Sequence, residues 1–356
     1  MTAENPPVIS SSTKKAILIS ALLGYVVLIV YILYFVGIEA LVDVIQTASL
    51  SLYTFAILSL LTSILFHTLV WYQLLRCLSI KLSFKRTFSL YWVGVFVDNL
   101  IPGGWSGDLF KAYLLNKDPK IQSGKAVASV VAKNVYEAIF NLGGMVFGLI
   151  LLFLNYTLEG SLLLTLGGIM VLLTFPLIIL LSASFKPEGT RRIIVSFFNS
   201  ISRLTRNRWK LDPLRAKVEK GLNDYHDGMK ILLENPRMLL KPMFLSFLAW
   251  GFEIVTLLFV FASLGQLISL DKVVIVRSIA GNVEAQGYAF VGYAQIISSE
   301  IYRALGVPFA IGASVALLGG VVVFLVKTAI SYVAFHRIVI SPKKGPDKKN
   351  YTEKGS

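Results

Sequence analysis

The chain has 356 residues, 55% of them hydrophobic, with a mean hydropathy of +0.71 and a net charge of +14. That hydropathy excludes an ordinary soluble domain and predicts an all-α polytopic membrane protein. The apolar runs exceed 18 residues and lack a period of two, which excludes a β-barrel. The positive charge fits cytoplasmic loops lying against anionic lipid, and no nucleic-acid partner is expected.

Residues 1–15 are polar and end in Lys14-Lys15, a cytoplasmic N-terminus. Ala16–Val36 is the first predicted span. The loop after it carries Glu39 and Asp43 and no Lys or Arg. Leu52–Leu75 is the second span and runs into Arg76, Lys81, Lys85 and Arg86, so the positive-inside rule places the N-terminus and the loop after the second span in the cytoplasm and the first loop outside.

Residues 88–115 do not read as one span. Phe88–Ile101 gives about 21 Å of helix, short of the ~30 Å hydrocarbon core. Pro102-Gly103-Gly104 breaks it, and Trp105–Leu115 returns to a Lys-rich segment. Two half-length helices with the same sidedness predict a re-entrant hairpin. Ala126–Asn155 is the third full span; Lys133, Glu137 and Asn141 lie at i, i+4 and i+8, hence near one face. Gly143, Gly144 and Gly148 of that span are expected to permit close helix packing.

Gly160–Ser182 is the fourth span. The loop 184–241 is basic and cytoplasmic. In it Ile194, Phe197, Phe198, Ile201 and Leu204 predict an interfacial amphipathic helix flanked by arginines. A second stripe, Leu214, Val218, Leu222, Tyr225 and Met229, is expected to pack on the protein itself. Pro242–Leu264 is the fifth span, with Glu253 near its middle, and Pro308–Phe335 is the sixth, containing Lys327. Between them, residues 271–305 are apolar but punctuated by Arg277, Glu284, Gln295, Glu300 and Arg303, which predicts a second re-entrant hairpin. Residues 336–356 form a basic, disordered cytoplasmic tail.

The halves 16–155 and 160–335 then read alike: two spans, a hairpin and a span, with opposite starting sides. This is an inverted repeat of six full transmembrane helices plus two re-entrant hairpins, about eight membrane segments. Such repeats place a site near the midplane between broken helices. Each buried charge there costs about 2.5–3.5 kcal/mol unless paired. Lys111, Lys133, Arg277 and Arg303 are the candidate lipid-phosphate ligands, with Arg able to grip phosphate bidentately. Asp98, Pro102, Gly104, Gly107, Asp108, Glu137, Asn141, Glu253, Glu284, Gln295 and Glu300 form the polar and structural lining. The single cysteine, Cys77, excludes an internal disulfide, and His67, His226 and His336 have no metal-ligand spacing. No cofactor, metal or catalytic residue is expected.

The stretch IPGGWSGDLFKAYLL followed by GKAVASVVAKNVYEAIFNL resembles the membrane domain of the lysylphosphatidylglycerol synthases and its free-standing, flippase-like relatives. Pro102, Gly104, Gly107 and Asp108 match that family's Pro/Gly segment ending in Gly-Asp. Lys111 and Lys133 stand where Arg is usual, and Glu137 stands one place beyond the expected acid. In the second half Gly292 and Gly306-Val307 fit, while Tyr288 replaces a Pro and Gln295 a Glu. The resemblance covers residues 16–335 and implies a lipid transporter, moving an anionic or glycosylated phospholipid or a polyprenyl-phosphate-type lipid between leaflets of the plasma membrane. It also implies that a lipid-modifying enzyme or glycosyltransferase works beside it. A membrane-embedded transferase using Asp98 or Asp108, or a scaffold for a lipid-modifying enzyme, are the alternatives. The oligomeric state stays open, a homo-oligomer included.

Overall fold

Apart from isolated positions, the computed structural model describes residues 38–100, 106–119, 121–155, 212–234, 236–285 and 293–340. The expected spans Ala16–Val36 and Gly160–Ser182, the interfacial helix around residues 194–204, the Pro102-Gly103-Gly104 break and the tail beyond residue 340 lie outside them.

Every described element is helical. In chain order they are α1 (Ile38–Gln46), α2 (Leu50–Cys77), α3 (Phe84–Leu100), α4 (Ser106–Asn116), α5 (Ser123–Asn155), α6 (Asp212–Glu234), α7 (Pro236–Ser263), α8 (Leu270–Ala285), α9 (Tyr293–Ala304), α10 (Phe309–Leu317) and α11 (Val323–Phe335). A π-helical turn, Leu318–Val322, joins α10 to α11, and a second, His336–Ile340, follows α11. Among the described residues, four helices are long and apolar enough to cross a membrane: Leu50–Cys77, Gly124–Asn155, Pro236–Ser263 and Phe309–Ile340. The protein is an integral membrane protein. Helix α7 starts six residues before the expected Pro242, because a proline is tolerated within a helix whose neighbours re-satisfy the freed carbonyl.

Helices α2 and α7 form the most extensive contact. Lipid tails are as apolar as leucine, so this association depends on close packing and interhelical hydrogen bonds. Small residues supply both. Ala56, Ser59 and Ser63 of α2 and Ser246 and Ala249 of α7 are buried. Ser59 donates across the seam to the Phe252 carbonyl at 2.9 Å. The ring pairs Phe55–Phe259 and Phe66–Phe252 show that the helices run antiparallel. Large side chains turn the other way, with Leu58, Phe153 and Leu325 all more than half exposed toward the lipid.

The short helices pack around this pair. Helix α3 lies against α4, and α8 against α9. Helix α3 also packs on α11, and α8 packs on α5. Gly148 permits the second of these contacts: a Cβ there would come within 3.0 Å of Ile275 Cα. Gly144 works similarly against Trp250, whereas Gly143 faces open space and plays no packing part. Of the expected second stripe in the basic loop, Tyr225 and Met229 do pack on the protein, through the cluster centred on α2 and α5.

Candidate functional site

The site begins at the N-terminus of α4, where the first helical N–H groups have no partner within the helix. Asp98, on α3, supplies one: its Oδ1 accepts from the Gly107 N–H at 2.6 Å and from Ser106 Oγ at 3.0 Å. Gly107 has to be glycine, because a Cβ would run into the Gly94 carbonyl and the Asp98 carboxylate. Gly94 in turn leaves room for the Lys111 stem; a Cβ there would lie 2.7 Å from its Cδ. Close approach of the two helices thus puts Asp108 and Lys111 inside the protein, 4% and 2% exposed.

These two residues start a chain of contacting ionisable side chains. Lys111 pairs with Asp108. Asp108 also accepts from Asn134 Nδ2 at 2.6 Å and lies 3.9 Å from Lys133. Lys133 pairs with Glu137 at 2.8 Å, the expected i, i+4 contact. Glu137 meets His67 Nδ1 at 2.9 Å, His67 Nε2 meets Glu253 at 3.0 Å, and Glu253 meets Arg277 Nη2 at 2.8 Å. Seven side chains from α4, α5, α2, α7 and α8 are linked in one continuous line.

Aromatic faces complete its first end. The Lys111 ammonium lies 4.5 Å from the Tyr91 ring centroid and 5.2 Å from that of Trp71, and Lys133 lies 5.7 Å from Tyr91. Each is within cation–π range. Trp71 is held by its Nε1 donating to Ser129 Oγ at 3.1 Å. At the other end Asn141 and Arg277 converge on Gly281, where a Cβ would sit 2.9 Å from Asn141 Oδ1 and 2.7 Å from Arg277 Nη1.

The structure therefore gathers Lys111, Lys133 and Arg277, with Asp98, Asp108, Glu137, Asn141 and Glu253. Arg303 is placed elsewhere. Its side chain is 61% exposed, pairs with Glu300 at 2.5 Å and lies over the Phe309 ring. At the end of α9 it has solvent or headgroups to reach, so Arg303 and Glu300 are set apart from the chain that starts at Lys111. Gln295 packs against Gly320 in the π-helical turn. Pro102 and Gly104 lie outside the described residues, as does the side chain of Glu284.

His67 is the residue that the sequence did not mark. Its partners lie on other helices, one of them 186 positions away. The available signal was its place mid-span, where a polar side chain is costly. Its ring stands between the two carboxylates, one on each nitrogen, so they do not converge on a common ion. Among the described residues no group of three potential metal ligands surrounds one point.

The sequence model of the lysylphosphatidylglycerol synthase transmembrane region matches residues 16–331. A UPF0104 membrane protein of Pyrococcus horikoshii is 25% identical over 324 residues, covering 89% of this chain and 95% of that protein. One from Methanocaldococcus jannaschii is 25% identical over 328 residues, covering 89% and 94%. No solved structure matches significantly.

Proposed function

Because the chain belongs to the lysylphosphatidylglycerol synthase transmembrane-region family, we propose that it moves an anionic or glycosylated phospholipid, or a polyprenyl-phosphate-type lipid, between membrane leaflets. The observation that carries this reading is the line of ionisable side chains from Lys111 to Arg277, buried at its Lys111 end and partly buried at the other. Intramembrane ionisable groups are expensive, and they face bundle interiors or substrate paths. In such a line a lipid phosphate exchanges for a carboxylate as the partner of a cation. Lys111 and Lys133 offer point charges, and Arg277 offers a planar fork. The displaced carboxylate must then pair with another cation of the line or take up a proton, so entry of the headgroup rearranges the pairing along it.

The packing supports an inverted repeat as the frame for this movement. Helix α2 pairs with α7, α3 packs on α11, and α8 packs on α5. Rocking of one half against the other gives alternating access around a midplane site. On this reading both hairpins are re-entrant, both termini are cytoplasmic, and the membrane is the plasma membrane. Membrane lipids are the principal partners, and a lipid-modifying enzyme or glycosyltransferase would supply or consume the lipid.

A transporter fits the acids better than an enzyme does. Asp98 caps α4, and Asp108 is held by Lys111 and Asn134. The test uses the purified full chain in liposomes containing fluorescent phosphatidylglycerol, with an impermeant quencher reporting leaflet exchange. Exchange faster than in empty liposomes, and lost in Lys133→Gln, is expected. Absence of exchange with anionic, glycosylated and polyprenyl-phosphate lipids alike would overturn the reading.

A further inference from the structure

Both nitrogens of the His67 ring lie close to carboxylates: Nε2 is hydrogen-bonded to Glu253 at 3.0 Å, and Nδ1 lies 2.9 Å from Glu137 at ion-pair distance without hydrogen-bond alignment. A neutral imidazole carries one N–H and one lone pair. With a neutral ring, one of these contacts would set a lone pair against a carboxylate oxygen. Both contacts become attractive only when the assembly holds an additional proton, on the ring or on a carboxyl. The charges around the ring agree. From α5 it faces Glu137, behind which stand Lys133 and, on α3, Tyr91. From α7 it faces Glu253, behind which stands Arg277 of α8. With Asp98 and Asp108 at the far end there are four carboxylates, and the cations Lys111, Lys133 and Arg277 match them in number only if His67 is the fourth.

The ring also occupies a strategic place. It sits on α2, between α5 of the first half and α7 of the second. From these observations we propose that His67 is a proton-binding switch that fastens the two halves together and couples proton movement to transport. With the proton bound, Glu137 and Glu253 are tied through one ring. When it leaves to water on one face of the membrane, a lone pair meets a carboxylate and the tie opens on one side. Re-protonation from water on the other face closes it. The imidazole is the side chain whose ordinary range spans physiological pH, and His–carboxylate lines are a recurrent form of intramembrane proton relay. The coupling rests on the transport reading above, whereas the proton site rests on geometry alone.

The experiment has two arms. First, His226→Asn and His336→Asn leave His67 as the sole histidine of three, so ¹⁵N NMR of the full chain reads its ring directly. Imidazolium signals that give way to those of a neutral ring as the pH is raised across the range in which the protein stays folded are expected for this switch. A ring that keeps one protonation state throughout, neutral or charged, overturns it. Second, proteoliposomes with labelled phosphatidylglycerol are given a gradient of one pH unit. One proton per lipid biases the final lipid distribution by up to about tenfold. His67→Arg retains a cation and two donors and is expected to abolish the bias. A titrating ring with no gradient-dependent bias in the unmodified protein, or a bias that survives His67→Arg, overturns the coupling. Lipid exchange absent under every condition overturns the transport reading together with the coupling, and the nitrogen signals then decide the proton site by themselves.

Discussion

The guanidinium of Arg277 meets the carboxylate of Glu253 at 2.8 Å, and this pair fastens the second hairpin to α7. Glu253 is shared, since its other oxygen meets His67. The two side chains are partly buried, 17% and 18% exposed, so removing one member leaves an uncompensated charge whose cost stays below the roughly 3–5 kcal/mol of a fully buried pair. Arg277→Met is therefore expected to destabilise the protein. The double variant Arg277→Met with Glu253→Gln is expected to recover part of the loss, because the stranded charge goes with its partner. Thermal unfolding of the four proteins in detergent, taken as a double-mutant cycle, measures the coupling. Additive effects would show that the pair contributes nothing as a pair.

Gly107 offers a test of the first hairpin. An added methyl would meet the Gly94 backbone carbonyl and the carboxylate of Asp98, and neither is the loose end of a long side chain. Overpacking of this kind costs about 1–3 kcal/mol. Gly107→Ala should lower the unfolding temperature and disturb the adjacent Asp108 and Lys111 one turn on. Gly143→Ala is the matched control: a Cβ there meets nothing within 4 Å, and alanine is the better helix former by about 1 kcal/mol. Its stability is expected to be unchanged or slightly raised.

The cations separate by burial. Lys111 is 2% exposed and Lys133 is 6% exposed, while the Arg303 side chain is 61% exposed. If the line from Lys111 to Arg277 handles the lipid, Lys133→Gln should slow lipid exchange by about tenfold or more, the equivalent of about 1.4 kcal/mol in a barrier. Arg303→Gln should leave the rate within about twofold, since a surface pair is worth at most about 1 kcal/mol. Leaflet exchange in liposomes, with folding checked by size-exclusion chromatography, makes the comparison. Equal losses in both variants would return Arg303 to the site.

Much of this was legible in the sequence because it is local. Hydropathy placed Leu52–Leu75 and Ala126–Asn155 within three residues of the helices α2 and α5 at each end. Lys133 and Glu137 could be paired because i and i+4 share a helix face. His67 could not be joined to Glu137 and Glu253, since helix periodicity says which residues share a face and not which faces meet. Arg303 failed for the opposite reason. Its place in an apolar stretch suggested burial, but it lies in the last turn of α9, where a long side chain reaches outward. The π-helical turn at Leu318–Val322 had no hydropathy signal. It is visible only from Gly320 lying against Gln295 and from Tyr53 donating to the Leu318 carbonyl at 2.7 Å.

Helix α6, within the basic loop, gives the last prediction, because it docks on the membrane bundle. Met229 and Leu232 are buried against the cluster built on α2 and α5. The docking is tightest at Gly228, where a Cβ would lie 2.7 Å from the Ala128 Cβ and 3.5 Å from the Lys125 Cα. Neither neighbour is flexible, so a side chain at this position must push the helices apart. Gly228→Val should therefore loosen α6 and release the apolar contacts of Met229 and Leu232, worth about 1.5–3 kcal/mol per side chain. The four long helices do not depend on this contact and should hold. Limited proteolysis is expected to cut the variant within residues 212–234 much faster than the unmodified protein, while the unfolding temperature of the remaining bundle changes little. Equal cleavage rates in the two proteins would mean that α6 is not held by this contact. Loss of the whole bundle would mean that α6 is part of its core.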